Sequence, residues 1–456
     1  MRTKSVTQMY LDFTLPSSPT KIVAAYREKY GALNKLLLAN PHVLNVVHAD
    51  FCRWLSTSDS GRESTYTSEE ILRSLVVMFI EGDSYRDVVV RIENSDFLRG
   101  FAGFGFFKPM MDFSFLGKAF AALSEETWQA VNLSLAQYAK DKAWISGEKL
   151  RTDTTAYEAN IHYPTDSSLL WDSFRVLCRT LRSVQKELPQ LGLKHRYHDR
   201  KVKKLAFYIA RNAKSKSKAT QRRVKRAYRE LIDRVRWIAW VSKDVQQRLI
   251  CSCYEAPELE LYTPTVERVI GQAERRVFNG EKVPAGEKVY SLFEEHTELL
   301  VRGKAGKPVE FGHKVLIAQT GEKFISHYRV MPQREEDKDL LDETIAAHRD
   351  LFGHAPTTLA ADKGYYASVK QLHALEEEIE NVSICKKGRR TPAEEAREHG
   401  DDFRAGQRFR AGIEGSISVL KRAYKLNRCL FKGYKNFASS VGCAIFCHNL
   451  VLLAQR

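Results

Sequence analysis

Three carboxylates sit in sequence settings suited to metal-assisted chemistry on phosphate. Asp153 lies in Leu150-Arg-Thr-Asp-Thr-Thr155 and Asp362 in Leu359-Ala-Ala-Asp-Lys-Gly364, both where a strand is expected to end. Glu414 lies in Arg410-Ala-Gly-Ile-Glu-Gly-Ser-Ile-Ser-Val-Leu-Lys421, which reads as helix. At roughly 100° per residue, Arg410, Glu414, Lys421, Lys425 and Arg428 fall on one helical face. A carboxylate among four cations packs poorly but suits a phosphodiester: the acid holds a divalent metal and the cations meet phosphate oxygens. Mg²⁺ takes oxygen ligands, and two such ions about 3.5–4 Å apart activate the attacking oxygen and stabilise the leaving one. Two Asp and one Glu, on two strands and a helix, match that requirement.

Each acid also has a plainer reading. Asp153 can be a turn residue satisfied by Thr152 or Thr154, and Asp362 a helix cap. Glu414 can be a solvated helix residue paired with Arg410 one turn away. Its neighbours weigh against this. Gly412 and Gly415 weaken a helix by up to about 1 kcal/mol each, and small residues there suit close approach of a phosphate backbone and metals.

The chain has 456 residues, enough for two or three cores. Its 72 Lys and Arg against 56 Asp and Glu give a net charge of +16, which favours a polyanionic partner, nucleic acid before membrane. Much of the excess is local: seventeen Lys or Arg lie between Lys194 and Arg236, against only Asp199, Glu230 and Asp233. No apolar run approaches the 18 or so residues that span a bilayer, and the N-terminus lacks a signal-type segment. Cys251-Ser-Cys253 has no second pair at metal spacing and Cys443-x3-Cys447-His448 sits in an apolar run, so zinc is not expected. Buried free thiols in a reducing cytoplasm are the expectation.

The elements that must position the acids follow from periodicity. Helical patterns run from Ile22 to Leu38, from Ser68 and from Ser124 to Ala139, around a turn-rich stretch at Ser56–Ser64 and an aromatic loop at Phe101–Phe107. Strand-type alternation covers Lys149–Ile161. A helical, basic stretch follows from Leu169 to about Gln272. Further strands are read at Glu310–Ala318, Phe324–Met331, Thr357–Ala361 and Asn381–Cys385, with helices at Asp337–Phe352, after Gly364 to Glu378, and over most of Arg404–Arg456. The expected organisation is an N-terminal segment (1–66), an all-α DNA-binding domain (67–144) and an α/β domain (145–456). That last domain is interrupted by a mainly helical basic insertion at about 167–300. Without the insertion, its element order is that of a ribonuclease-H-like domain.

Taken together, these stretches resemble a DDE transposase of bacterial insertion sequences. The signature there is Tyr-x2-Arg-x3-Glu-x6-Lys; Arg410-x3-Glu414-x6-Lys421 matches in full spacing, while the tyrosine position is Gln407, with Phe409 nearby. Arg151–Thr155, Asn160–Asp166, Gly303–Gly312 and Ala361–Tyr365 are similar to those of the ISNCY-type group, and the resemblance covers roughly residues 68–450. It implies that Asp153, Asp362 and Glu414 bind two Mg²⁺ or Mn²⁺ ions and carry strand cleavage and transfer. It further implies that Arg410 and Lys421 contact transposon-end DNA, that the helical domain helps bind terminal inverted repeats, and that two DNA ends are synapsed by at least a dimer. The 208 residues between Asp153 and Asp362 are explained by the insertion. Its basic stretch from Lys194 to Arg236, with Lys214, Lys216, Lys218, Arg222, Arg223, Lys225 and Arg226 as the named phosphate contacts, is the expected electrostatic surface for duplex DNA, at the ends or the target. Trp237 and Trp240 are read as core rather than base-stacking residues. Two other functions stay open: a DNA-binding protein without catalysis, and a ribonuclease-H-like host nuclease.

Overall fold

The structure, a computed structural model, describes residues 2–5, 20–55, 64–105, 107–250, 254–301 and 308–456. Most of the Ser56–Ser64 stretch, Phe106 of the aromatic loop, Cys251-Ser-Cys253 and residues 303–307 of the Gly303–Gly312 motif lie outside the described residues. The fold is mixed α/β, and the chain forms two compact units, Met1–Glu158 with His313–Arg456, and Ala159–Gly312.

In the first unit, seven helices precede the first strand: α1 (Lys21–Ala39), α2 (Pro41–Leu55), α3 (Ser68–Glu81), α4 (Tyr85–Glu93), α5 (Asp96–Ala102), α6 (Phe113–Ala122) and α7 (Glu125–Asp141). Their ends follow from local chemistry. Thr67 and Glu70 form a reciprocal capping box at the start of α3, and Gly82, at φ +66°, ends it in the left-handed conformation that glycine adopts without strain.

The expected boundary near 145 does not separate a helical domain. Helices α1–α7 share one core with the last helix of the chain, α16 (Tyr434–Leu453). Asn132 of α7 donates to Gly442 O at 3.0 Å, and Ser439 donates to Leu123 O at 3.0 Å. The reason lies in α16 itself. It is apolar on all sides, so it needs cover on all sides, and α3, α6 and α7 provide it. Contrary to the sequence expectation, α16 is long and apolar enough by composition to cross a bilayer; here 83% of that apolar window is buried inside the protein.

The sheet of this unit is built from β1 (Lys149–Glu158), the part of β3 (Val309–Thr320) from His313 onward, β4 (Ile325–Val330), β5 (Thr358–Ala361) and β6 (Asn381–Ser383), in the order β4-β3-β1-β5-β6. β3 and β4 are antiparallel, whereas β1, β5 and β6 are mutually parallel. Helices α12 (Leu341–Phe352), α13 (Val369–Glu378), α14 (Pro392–His399) and α15 (Asp401–Ala423) complete it. Alternation along β3 sends Val315 and Ile317 to the core shared with α16, and Leu316 and Ala318 to a second core with α12 and α13. β1, central in the sheet, is buried along most of its length.

The second unit holds α8 (Asp166–Glu187), α9 (Asp199–Asn212), α10 (Lys218–Leu249) and α11 (Pro257–Val277) around their own core. Its strand β2 (Glu298–Val301) pairs antiparallel with Val309–Gly312, the first residues of β3. The unit spans 159–312, wider than the expected 167–300, because β2 and the start of β3 fold with the helices.

Candidate active site

Register decides where the two aspartates meet. Thr152 of β1 pairs with Ala361 of parallel β5. Asp153 follows Thr152 within β1, and Asp362 is the first residue beyond the end of β5, so this last pair of the register brings the two acids to neighbouring positions. Asp362 follows β5 and caps the next 3-10 turn, accepting from Lys363 N at 2.6 Å. Asp153, expected at a strand end, lies in mid-strand, because β1 continues to Glu158. Its carboxylate accepts from Thr154 N at 2.7 Å.

Strand alternation also fixes the face. Leu150 of β1 and Leu359 and Ala361 of β5 belong to the core with α12 and α13. Arg151, Asp153 and Asp362 therefore project to the opposite face, where α15 lies. Arg151 makes that contact directly. Its guanidinium donates to Phe409 O of α15 at 2.7 Å and to Gln319 Oε1 of β3 at 2.9 and 2.5 Å, and it stacks over the Phe409 ring. Gln319 Nε2 donates in turn to Ser416 Oγ at 2.9 Å. Burial pushes Arg151 down to about 10. This buried cation is the clamp that seats α15 on β1 and β3. The sequence alone assigns Arg151 no role; an arginine two residues before a strand carboxylate is the only local signal of it.

Arg410 of α15 lies near enough to act electrostatically on Asp153. Burial raises Asp153 above the usual carboxylate range, and the charges of Asp362 and Asp337 push the same way; the Thr154 N–H and the Arg410 guanidinium oppose them. Glu414 is exposed and pairs with Arg410 at 3.4 Å. Arg410 thus pairs with Glu414 while its charge also favours the ionised form of Asp153. Among the described residues no group of three or more His, Cys, Asp or Glu is disposed to hold a metal ion. Asp153 and Asp362 form an oxygen-only pair whose mutual repulsion a divalent cation would relieve, which fits the chemistry of Mg²⁺ or Mn²⁺. Glu414 is engaged with Arg410 instead.

Asp337, which in the sequence reads only as a helix start, opens the 3-10 turn before α12. It accepts from Thr154 Oγ1 at 2.9 Å and Lys314 Nζ at 2.7 Å. A methyl on Gly364 would stand 2.9 Å from its Oδ2. Asp337 therefore ties β1 and β3 to the turn that follows Asp362, from the opposite face of the sheet. No local pattern announces this, since Thr154 and Asp337 are 183 positions apart.

The expected row of cations divides. Lys421 lies on α15 with Arg410 and Glu414. The helix ends at Ala423, however, and Lys425, at φ +59°, belongs to the connection after it. The backbone around Arg428 forms a parallel bridge with Glu158 at the end of β1 instead of continuing the helix. The glycines divide too. Gly412 faces Arg151, so its space is already filled, while a methyl on Gly415 would meet nothing within 4 Å. Gln407, at the tyrosine position of the resemblance, donates to Ser383 O of β6 at 2.6 Å.

In the second unit, Lys214 and Lys216 lie on the α9–α10 connection, and Lys218, Arg222, Arg223, Lys225 and Arg226 on the first turns of α10. All seven are exposed. Trp237 packs beside Tyr197, but Trp240, expected in the core, is 61% exposed.

Set against known protein families, curated proteins and solved structures, the chain matches none.

Proposed function

We propose that the protein is a DDE-type DNA transposase that binds the ends of its mobile element and cuts and transfers DNA strands. One observation carries this reading: Asp153 and Asp362 directly follow Thr152 and Ala361, which are paired on adjacent parallel strands, and the helix clamped over β1 bears Arg410 and Glu414. The order β4-β3-β1-β5-β6, antiparallel then parallel, supports a ribonuclease-H-like assignment for this sheet. The exposed cations of the inserted unit support duplex DNA as the partner, and joining two ends implies at least a dimer during reaction.

Asp153 and Asp362 would hold the two divalent ions, with Glu414 the third expected ligand; bound there, Mg²⁺ or Mn²⁺ would supply activation of the attacking oxygen and stabilisation of the leaving one. Asp153 must be ionised to take part, and Arg410 favours that state. Arg410 and Lys421, on one face of α15, meet phosphate oxygens. Release of Glu414 from Arg410 frees its carboxylate and leaves the guanidinium to the DNA.

A second reading has specific support. The Arg410–Glu414 pair and the lack of a three-acid metal group among the described residues suit a DNA-binding protein without catalysis. One experiment separates the two. On end DNA with Mg²⁺, Asp153→Ala, Asp362→Ala and Glu414→Ala should each abolish cleavage and leave binding largely intact. A parent protein that binds the ends but cleaves nothing would establish the silent reading.

A further inference from the structure

The second unit contains a cationic cleft that falls largely within the basic stretch Lys194–Arg236 but apart from the expected phosphate contacts Lys214–Arg226. It is a cavity of about 620 Å³ between the C-terminal half of α8, the segment 193–198 and the first turns of α9. Gln185 of α8 holds that segment by donating to Leu193 O at 2.5 Å. Five cations line the cleft against one carboxylate, Asp199. That carboxylate is already engaged: Arg182 donates to it at 3.1 and 3.4 Å, and backbone N–H groups at the start of α9 reach it as well. Lys201 is paired with Glu230 at 2.8 Å. Arg196, Arg200 and Lys204 remain, exposed and without an ion-pair partner among the described residues.

Tyr197 is the independent sign of a ligand. It is 4% exposed, it lines the cleft, and its hydroxyl is buried without a hydrogen-bond partner among the described residues. A buried hydroxyl left unmatched is costly, and burial pushes this phenol up to about 12, so it stays a donor. A wall with three uncommitted cations and one unmatched donor is complementary to an oxyanion with several acceptor oxygens.

We propose that this cleft binds phosphate groups through Arg196, Arg200, Lys204 and the Tyr197 hydroxyl. The phosphate comes either from a nucleic-acid backbone or from a free polyphosphate. The proposal rests on the inserted unit alone and stands whether or not the protein cleaves DNA.

The test uses the full chain without divalent metal, so cleavage does not enter it. Inorganic pyrophosphate is titrated calorimetrically, and a short unrelated duplex is titrated at several salt concentrations. The comparison is with the triple variant Arg196→Gln, Arg200→Gln, Lys204→Gln and with Tyr197→Phe; the first changes only exposed side chains and the second keeps the packed ring. A free-polyphosphate site predicts that the triple variant weakens pyrophosphate binding about tenfold or more with the duplex unaffected. A backbone site predicts that the duplex salt slope falls by about 0.9 for each phosphate no longer neutralised. Either way, Tyr197→Phe should weaken the same probe severalfold. Unchanged pyrophosphate affinity and unchanged duplex slope in both variants, with circular dichroism intact, would overturn the proposal.

Discussion

The three glycines of α15 should respond oppositely to alanine, although all are helical. Replacing a helical Gly by Ala alone gains roughly 0.8–1 kcal/mol. At Gly415 nothing lies within 4 Å of the added methyl, so Gly415→Ala should stabilise by nearly that amount. At Gly406 the methyl would overlap Ser383 Oγ and stand 2.5 Å from its Cβ. Overpacking of this kind costs about 1–3 kcal/mol. The Ser383 bond to Phe403 O, at 3.2 Å, would also go, for about 1 kcal/mol more. Set against the helix gain, Gly406→Ala should destabilise by about 1–3 kcal/mol. At Gly412 the methyl would overlap Nη1 of Arg151, displacing the charge-assisted bond to Phe409 O, worth about 1.5–3 kcal/mol. The net loss there should be about 1–2 kcal/mol. Urea denaturation followed by circular dichroism measures all three. Gly415→Ala also tests the close-approach idea: if DNA uses the open space beside Gly415, end binding should weaken while stability rises. Gly406→Ala and Gly412→Ala variants as stable as the parent would refute the seating of α15 described above.

Burial and the neighbouring Asp362 and Asp337 raise Asp153, so its folded value exceeds its unfolded one and its penalty appears as pH rises through that interval. Asp153→Asn should therefore stabilise the protein at neutral pH and change little in strong acid, as unfolding at both pH values would show; destabilisation at neutral pH would mean the carboxylate is structurally required. His348, buried and bonded through Nε2 to Gly147 O at 2.9 Å, is lowered to about 4 by burial. Its folded value lies below its unfolded one, so its contribution is present above about 6.5 and is lost as pH falls toward 4. Roughly 3 kcal/mol is at stake over that window, and His348→Gln should flatten it in a pH series of unfolding curves. Replacing Arg222, Arg223, Lys225 and Arg226 by Ala should lower the salt slope of duplex binding by about 0.9 for each phosphate they neutralise. The loss should be equal for end and unrelated sequences, since phosphate contacts carry little sequence information; a loss confined to end DNA would mean that this segment reads bases.

Local chemistry was enough for much of this protein. The Leu-Ala-Ala run before Asp362 reads as a buried strand and is one. The helix start at Ser68, the spacing of Arg410 and Glu414 on one helix, and the basic helical insertion are likewise properties of residues near each other in the chain. What needed the tertiary structure were relations between distant residues. Register brought Asp153 beside Asp362, and the same pairing kept Asp153 in mid-strand, because β1 gains partners on both edges and runs on. Arg151 gained its role only when Phe409 and Gln319, 258 and 168 positions away, closed on it. The end of α15 at Ala423 took Lys425 and Arg428 off the expected face. The N-terminal helices joined the α/β unit because α16 buries apolar surface on every side, and helical periodicity says how a segment is patterned but not which partner covers it. Desolvation likewise belongs to the assembled site: the elevation of Asp153 depends on what surrounds it, and those neighbours come from three other elements of the fold.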